Sequence, residues 1–238
     1  MHRGEVSPGS PIFEEIAPFY DAANLLLSLG QTTIWRTLAL KDLDLLPGDR
    51  VLDVGCGTGW VVRHLRRTYP GIRIEGMDIS PAMLHQARLR DPTGHYFEGN
   101  LQAIPRGDRC YDLVTAVFIL RNLPDLRQPV KEMLRVLKPQ GRLLVLEAFP
   151  LGETPAWFRI LHRGWLRLVI PFIGWIFGHR EPYCYLGQSI LHYLTLTEFL
   201  HRLTALGTAV EDCRTFSLGA AARVIARAAP PGSNGLRS

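Results

Sequence analysis

Val51-Leu52-Asp53-Val54-Gly55-Cys56-Gly57-Thr58-Gly59 is an apolar run ending in three alternating glycines, and it decides the reading of this 238-residue chain. A helix-like stretch from Trp60 to Thr68 follows. A second apolar run, Ile72-Arg73-Ile74-Glu75-Gly76-Met77, then delivers Asp78. Glycine lets backbone N–H groups approach a ligand and tolerates positive φ. A carboxylate at the end of the next strand can accept hydrogen bonds from both hydroxyls of a ribose. The order strand, glycine turn, helix, strand, acid is that of a doubly wound α/β crevice that reads a nucleoside.

Spacing also discriminates between cofactors. A dinucleotide fingerprint wants a further glycine one residue later, where a helix packs closely over a pyrophosphate, and this chain has bulky Trp60 there. The tight Gly-x-Gly-x-Gly turn suits instead the amino-acid moiety of S-adenosylmethionine. A glycine-rich turn that binds nothing is the plainer alternative, and the well-placed Asp78 argues against it.

The flanking sequence alternates in the same way. Helical stretches are expected at Ile12–Ala17 and Ile34–Leu40, then strand 51–54, helix 60–68, strand 72–77, helix 81–89 and a short strand His95–Glu98. Strand Tyr111–Val117, helix Gln128–Leu137 and strand Arg142–Glu147 follow. Ser80-Pro81 has the pattern of an N-cap with proline at the first helical position, and Pro139-Gln140-Gly141 that of a turn into a strand. This predicts an α/β fold with a parallel sheet covered by helices on both faces. Residues 1–238 form one domain, with 1–45 a helical cap, 150–190 a lid insertion, and the Pro, Gly and Ser-rich ends 1–12 and 229–238 disordered.

Composition narrows the function. A hydrophobic content of 47% suffices for one sizeable core, and a formal charge of +5 fits an anionic partner, a membrane surface or nucleic acid, or plain solvation. Cys56, Cys110, Cys184 and Cys213 form no Cys-x-x-Cys pair and the histidines no ligand-like spacing, so no metal site or disulfide framework is expected. The N-terminus, with Glu5, Pro8 and Pro11, lacks a signal-peptide core. The setting read from this is cytoplasmic. Within 155–178, PAWFRILHRGWLRLVIPFIGWIFG, Arg159, Arg163 and Arg167 recur every four residues among Trp, Phe, Ile and Leu. The uncharged part of the segment, Leu168 to Gly178, is too short and proline-broken to span a bilayer. It reads either as an interfacial helix on the inner face of the membrane or as a lid or dimer helix on the core; a homodimer stays open, and no nucleic-acid partner is indicated.

Together these residues resemble a family. Phe13-x-x-Ile16-Ala17-x-x-Tyr20-Asp21-x-x-Asn24, Leu27-Ser28-x-Gly30 and Trp35-Arg36 precede the glycine turn, and Asp78-Ile79-Ser80-x-x-Met83-Leu84 follows it. Leu120-Arg121-Asn122 and Arg135-Val136-Leu137-Lys138-Pro139-x-Gly141-Arg142-Leu143-Leu144-Val145-Leu146-Glu147 complete the pattern. Over about residues 12–205 the chain is similar to the ubiquinone/menaquinone biosynthesis C-methyltransferases, class I S-adenosylmethionine enzymes, a resemblance that implies a Rossmann-like fold with a mostly parallel seven-stranded sheet and helices on both faces. The Leu-Arg-Asn element with the N-terminal Tyr-Asp-x-x-Asn is far more specific than the glycine loop.

The resemblance implies a cofactor set of Asp53, Gly55, Gly57, Thr58, Gly59, Asp78, Ile79, Asn100, Leu101 and Val117. Asp78 would hold the ribose, while Asn100 and Leu101 would flank the adenine. Val117 stands where serine is usual, leaving only its backbone for the ligand. For Asp53, ordering the loop's own backbone and touching the cofactor are equally good readings. The implied reaction methylates a ring carbon of a prenylated quinol, which needs phenol deprotonation and alignment. Arg121 would stabilise the phenolate, Asn122 orient the hydroxyl, Asp21 or water take the proton, and Tyr20 stack on the ring or donate a hydrogen bond to it. The bland readings are that Arg121 and Asn122 close a turn and Asp21 caps the helix holding Leu25–Leu27.

Departures from the family pattern fall in the acceptor half. Gln31-Thr32-Thr33 replaces a usual histidine, Leu191-His192-Tyr193-Leu194 replaces an Arg and Pro pattern, and the usual His-Arg-Gly-Tyr-Lys ending is missing, the chain closing with Arg223-Val224-Ile225-Ala226-Arg227. Three functions are therefore expected in descending order: a quinol C-methyltransferase, a phosphatidylethanolamine N-methyltransferase, and a non-catalytic cofactor- or lipid-binding partner of a biosynthetic assembly.

Overall fold

The computed structural model describes residues 14, 17–152, 154–176 and 180–228. Apart from Glu14 and Ala17, the expected helix Ile12–Ala17 lies outside these residues, as do the chain ends expected to be disordered.

The strands are β1 (Arg50–Val54), β2 (Arg73–Asp78), β3 (His95–Glu98), β4 (Tyr111–Val117), β5 (Leu137–Ala148), β6 (Thr208–Phe216) and β7 (Ala221–Ala228). They form one seven-stranded sheet in the order β3-β2-β1-β4-β5-β7-β6. The pairs from β3 to β5 are parallel, while β7 is antiparallel to both neighbours. Its direction follows from chain length: only the short Ser217–Gly219 turn and Ala220 separate β6 from β7, and a parallel return would need a crossover of a dozen or more residues. Ala221–Ala226 is buried between β5 and β6, whereas edge strand β6 carries exposed Glu211 and Arg214, which blunt it against further pairing.

Strand alternation sends neighbouring residues to opposite cores. Leu52 and Val54 join Val114, Ala116, Val130 and Met133 on one face, and Val51 joins Leu65, Leu113, Leu144 and Leu146 on the other. Helices α2 (Gln31–Ala39), α3 (Trp60–Thr68), α4 (Pro81–Arg90) and α5 (Arg127–Val136) fall within a few residues of the expected stretches, while α1 (Tyr20–Leu27), which holds Leu25–Leu27, begins beyond the expected Ile12–Ala17. Ser80 is the N-cap of α4, its hydroxyl accepting from Met83 N at 3.2 Å with Pro81 at the first position. The Pro139–Gly141 turn is absorbed into β5: register slips between Tyr111 and Leu113, so the extra residues bulge out before Arg142.

The lid differs from the single striped helix read from its sequence. It comprises α6 (Ala156–Gly164), a π-helical turn Trp165–Val169, α7 (Ile170–Ile176) and α8 (Arg180–Leu191). A π turn winds i to i+5, so Arg167 does not continue the line of Arg159 and Arg163. Arg163 and Arg167 are exposed, and half-buried Arg159 donates to Gly152 O at 3.3 Å. Between them the lid shows solvent Trp157, Ile160, Leu168, Phe172 and Trp175. Its inner side, Leu166, Ile170 and Tyr183, packs with Leu27 of α1 as a small separate cluster. Among the described residues no helix is long and apolar enough to cross a membrane.

Candidate active site

The glycine turn links the end of β1 to α3 and sits beside the end of β2. Gly55, Gly57 and Gly59 all have positive φ, at 65°, 52° and 76°. A Cβ on Gly59 would lie 2.6 Å from the Tyr96 hydroxyl oxygen, so a side chain there is excluded by packing as well as backbone. On Gly57 it would meet nothing within 4 Å. The middle glycine therefore backs onto open space, as a turn that cradles a ligand requires. Asp78 closes the turn: Gly57 N donates to Oδ2 at 2.7 Å and Ser80 N to Oδ1 at 3.0 Å. Half-buried Ile79 stands between Asp78 and Ser80.

Several expected cofactor side chains are committed elsewhere. Thr58 is buried and its hydroxyl donates to both oxygens of Asp21, at 2.9 and 2.8 Å; Asp21 also pairs with Arg90 at 2.9 Å. This corrects two expectations. Asp21 neither caps α1, being inside its first turn, nor lines the acceptor cavity described below; it ties the N-terminal helix to the glycine turn. Asn100 is exposed past β3 and its side chain accepts from Gln102 N at 2.8 Å, while Leu101 points into the core. Val117 is buried at the end of β4. For Leu101 and Val117 only backbone or side-chain edges remain for a ligand, whereas exposed Asn100 has only its amide oxygen engaged.

Beyond the ends of β4 and β5 lies a cavity of about 410 Å³, walled by α1, α2, the lid and the residues after β4. Its lining is largely apolar, with Leu27, Trp35, Phe118, Trp165 and Ile190, and Arg121, Arg36, Tyr20 and His162 reach it. Among the described residues no carboxylate lines it. Phe118 holds φ at +57°, a conformation rare for a bulky residue, which turns the chain from β4 into the Leu120–Asn122 turn. Arg121 pairs with fully buried Glu147 at 2.5 Å and donates to Phe118 O at 3.0 Å. Asn122 is buried behind the wall, accepting from the Tyr185 hydroxyl at 3.0 Å, so it positions the turn and does not meet the cavity.

A profile of the ubiE/COQ5 methyltransferase family matches residues 5–227. The chain is 35% identical over 197 residues to the demethylmenaquinone methyltransferase of Thermotoga maritima, covering 82% of this chain and 86% of that one. It is 38% identical over 204 residues to the ubiquinone/menaquinone biosynthesis C-methyltransferase UbiE of Geobacter sulfurreducens, covering 82% and 78%. The chain belongs to the ubiE/COQ5 methyltransferase family. Solved structures agree on the fold: an S-adenosylmethionine-dependent methyltransferase from Aquifex aeolicus superposes with TM-score 0.57 at 17% identity, over 80% of this chain and 88% of that one. The protein is thus an S-adenosylmethionine-dependent methyltransferase with the Rossmann-like class I fold expected from its glycine turn.

The electrostatics of this ubiE/COQ5 site follow from burial. The Arg121 guanidinium is opposed by its own burial but held protonated by Glu147, its pKa lying above the ordinary value, so it cannot serve as a base. Burial also raises Asp78 against the backbone N–H bonds it accepts, and nearby Glu14 adds to the rise. Burial pushes Asp53 up to about 7 despite its hydrogen bond from Thr115 at 2.6 Å and the nearby Arg36 cation. Asp53 Oδ2 has no partner among the described residues. Asp53 therefore faces Thr115 of β4 and not the glycine turn's N–H groups.

An acid whose pKa rises on folding destabilises the native state as pH climbs through its unfolded value, the cost being complete above its folded one. Wild-type stability should therefore lose this contribution between about pH 4 and about pH 7, and Asp53→Asn should remove that part of the slope. Urea midpoints of both proteins across the window measure the difference, and parallel curves would contradict the assignment.

Two cavity residues escaped the sequence reading. His162, half-buried on α6, has its pKa lowered by burial and is a neutral base near pH 7. Arg36 of α2 is buried at 9% exposure. Trp35-Arg36 was visible as a motif element, but nothing local says that α2 folds over the end of the sheet.

Proposed function

We propose that this methyltransferase C-methylates a prenylated quinol, demethylmenaquinol or the equivalent polyprenyl benzoquinol. The observation that carries the proposal is a buried arginine, Arg121, on the wall of an otherwise largely apolar cavity beside the cofactor turn. The names of the Thermotoga and Geobacter relatives support the same acceptor class. Bound S-adenosylmethionine supplies an electrophilic methyl on sulfur. A quinol carbon becomes a good nucleophile only when the neighbouring phenol loses its proton. Arg121, anchored by Glu147, stabilises the phenolate in a medium of low dielectric. Tyr20 and Trp35 flank the ring, and neutral His162 takes the phenol proton, the role Asp21 does not fill because Thr58 and Arg90 occupy it. Trp157, Ile160, Leu168, Phe172 and Trp175 beside exposed Arg163 and Arg167 would lie on the inner face of a membrane and admit the prenyl tail.

The test offers labelled S-adenosylmethionine with the protein on anionic liposomes to reduced demethylmenaquinone, demethylated polyprenyl benzoquinol and phosphatidylethanolamine. Label on a quinol ring carbon, with the protein cosedimenting with the vesicles, is expected. Label on the lipid amine alone would replace the proposal with N-methylation, and no transfer to any acceptor would favour a non-catalytic partner.

A further inference from the structure

Arg36 lies 5.5 Å from the ring centroid of Trp60 and 5.6 Å from that of Phe118, measured from its guanidinium carbon. Trp60 is the first residue after the glycine turn, and Phe118 the first after β4. The guanidinium is thus held between two aromatic faces over the sheet ends where the cofactor crevice meets the acceptor cavity. It is close enough to Asp53 to oppose that group's rise in pKa, yet no ion pair joins them. Among the described residues Arg36 makes no side-chain hydrogen bond, and its buried Nε has no partner.

Such an arrangement is costly by itself. A buried guanidinium forfeits the hydration of its donors, and cation–π contact returns only part of that loss. Among the described residues the other arginines with buried side chains have carboxylates: Arg121 has Glu147 and Arg223 has Asp212. Arg36 is the exception, and it faces the turn that serves an amino-acid-bearing nucleoside.

We propose that Arg36 binds the carboxylate of the amino-acid end of S-adenosylmethionine. Its planar donors suit a carboxylate bidentately. The unpartnered Oδ2 of Asp53 nearby is the matching acceptor for the ammonium of the same zwitterion. Arg36 then serves cofactor binding, independently of which acceptor is methylated, and the cavity's second arginine is not a second phenolate stabiliser.

Titration calorimetry with three ligands tests this without turnover: S-adenosylhomocysteine, its decarboxylated analogue, and 5′-methylthioadenosine, which lacks the amino-acid end. Wild-type protein should prefer S-adenosylhomocysteine over the decarboxylated analogue by roughly 10- to 100-fold, the range of charge-assisted hydrogen bonds. Arg36→Met, which keeps the stem packed on Trp60, should erase that preference while leaving 5′-methylthioadenosine affinity within about twofold, because no hydrogen bond to the nucleoside is removed. Equal wild-type affinities for the first two ligands would overturn the proposal, as would an Arg36→Met protein that keeps the preference or loses 5′-methylthioadenosine to the same degree. Should Arg36→Met not fold, Arg36→Gln takes its place in the same comparison, loss of the preference being expected and its retention overturning the proposal.

Discussion

Arg121→Ala is expected to lower turnover by about 100- to 1,000-fold, the scale of removing a preorganised stabiliser of developing negative charge. The same change leaves Glu147 buried with its guanidinium gone, retaining the backbone N–H groups of Arg121 and Ala148 as partners. Breaking a buried pair by removing one member costs about 3–5 kcal/mol, whereas removing both charges together is far milder. The single variant therefore confuses catalysis with stability, and Arg121→Met combined with Glu147→Gln separates them. The double variant should recover most of the lost melting temperature while turnover stays low, and cofactor affinity should remain near wild type in both. A double variant that turns over like the wild type would dismiss Arg121 as the phenolate stabiliser and leave it a turn residue.

Asp78→Ala should weaken S-adenosylhomocysteine by on the order of 100-fold or more, since hydrogen bonds to a charged acceptor each contribute about 1.5–3 kcal/mol. The structure adds a second reason to the one drawn from ribose recognition. Asp78 holds Gly57 N and Ser80 N, so its loss also frees the middle of the glycine turn and the cap of α4. Asp78→Asn is the informative companion. Its amide oxygen can keep one of those backbone bonds, but its NH₂ group must face a donor, so binding should stay weak with the fold retained. Calorimetric affinity within threefold of wild type for both variants would remove Asp78 from the site.

The fold-deciding signals were local, which is why they were legible. Glycines at 55, 57 and 59, an apolar strand on each side and an acid at the end of the second are separated by few residues, and the alternation of β1 to β5 with helices repeats at periods that sequence displays directly. The Ser80-Pro81 cap was equally local. The spacing of Arg159, Arg163 and Arg167 placed them on one helical face, and the π turn at Trp165–Val169, which leaves no mark in a four-residue spacing, takes Arg167 off that line.

The side-chain chemistry of the site was a matter of encounter between distant segments. Asp21 meets Thr58 across 37 residues, Tyr185 meets Asn122 across 63, and Arg121 meets Glu147 across 26. Sequence could name Thr58, Asp21 and Asn122 as polar residues in telling positions, but not that the first two would satisfy each other and the third would turn to Tyr185. By itself the sequence determined the α/β fold and the glycine turn with Asp78 at the end of the next strand, since these rest on backbone conformation and short-range periodicity, while Arg121 stood out only through the family resemblance. Only the tertiary structure decided that Glu147 anchors Arg121, that His162 and Arg36 reach the cavity, and that Asp21 does not, because burial and pairing exist only once α1, α2 and the lid have closed over the ends of the sheet.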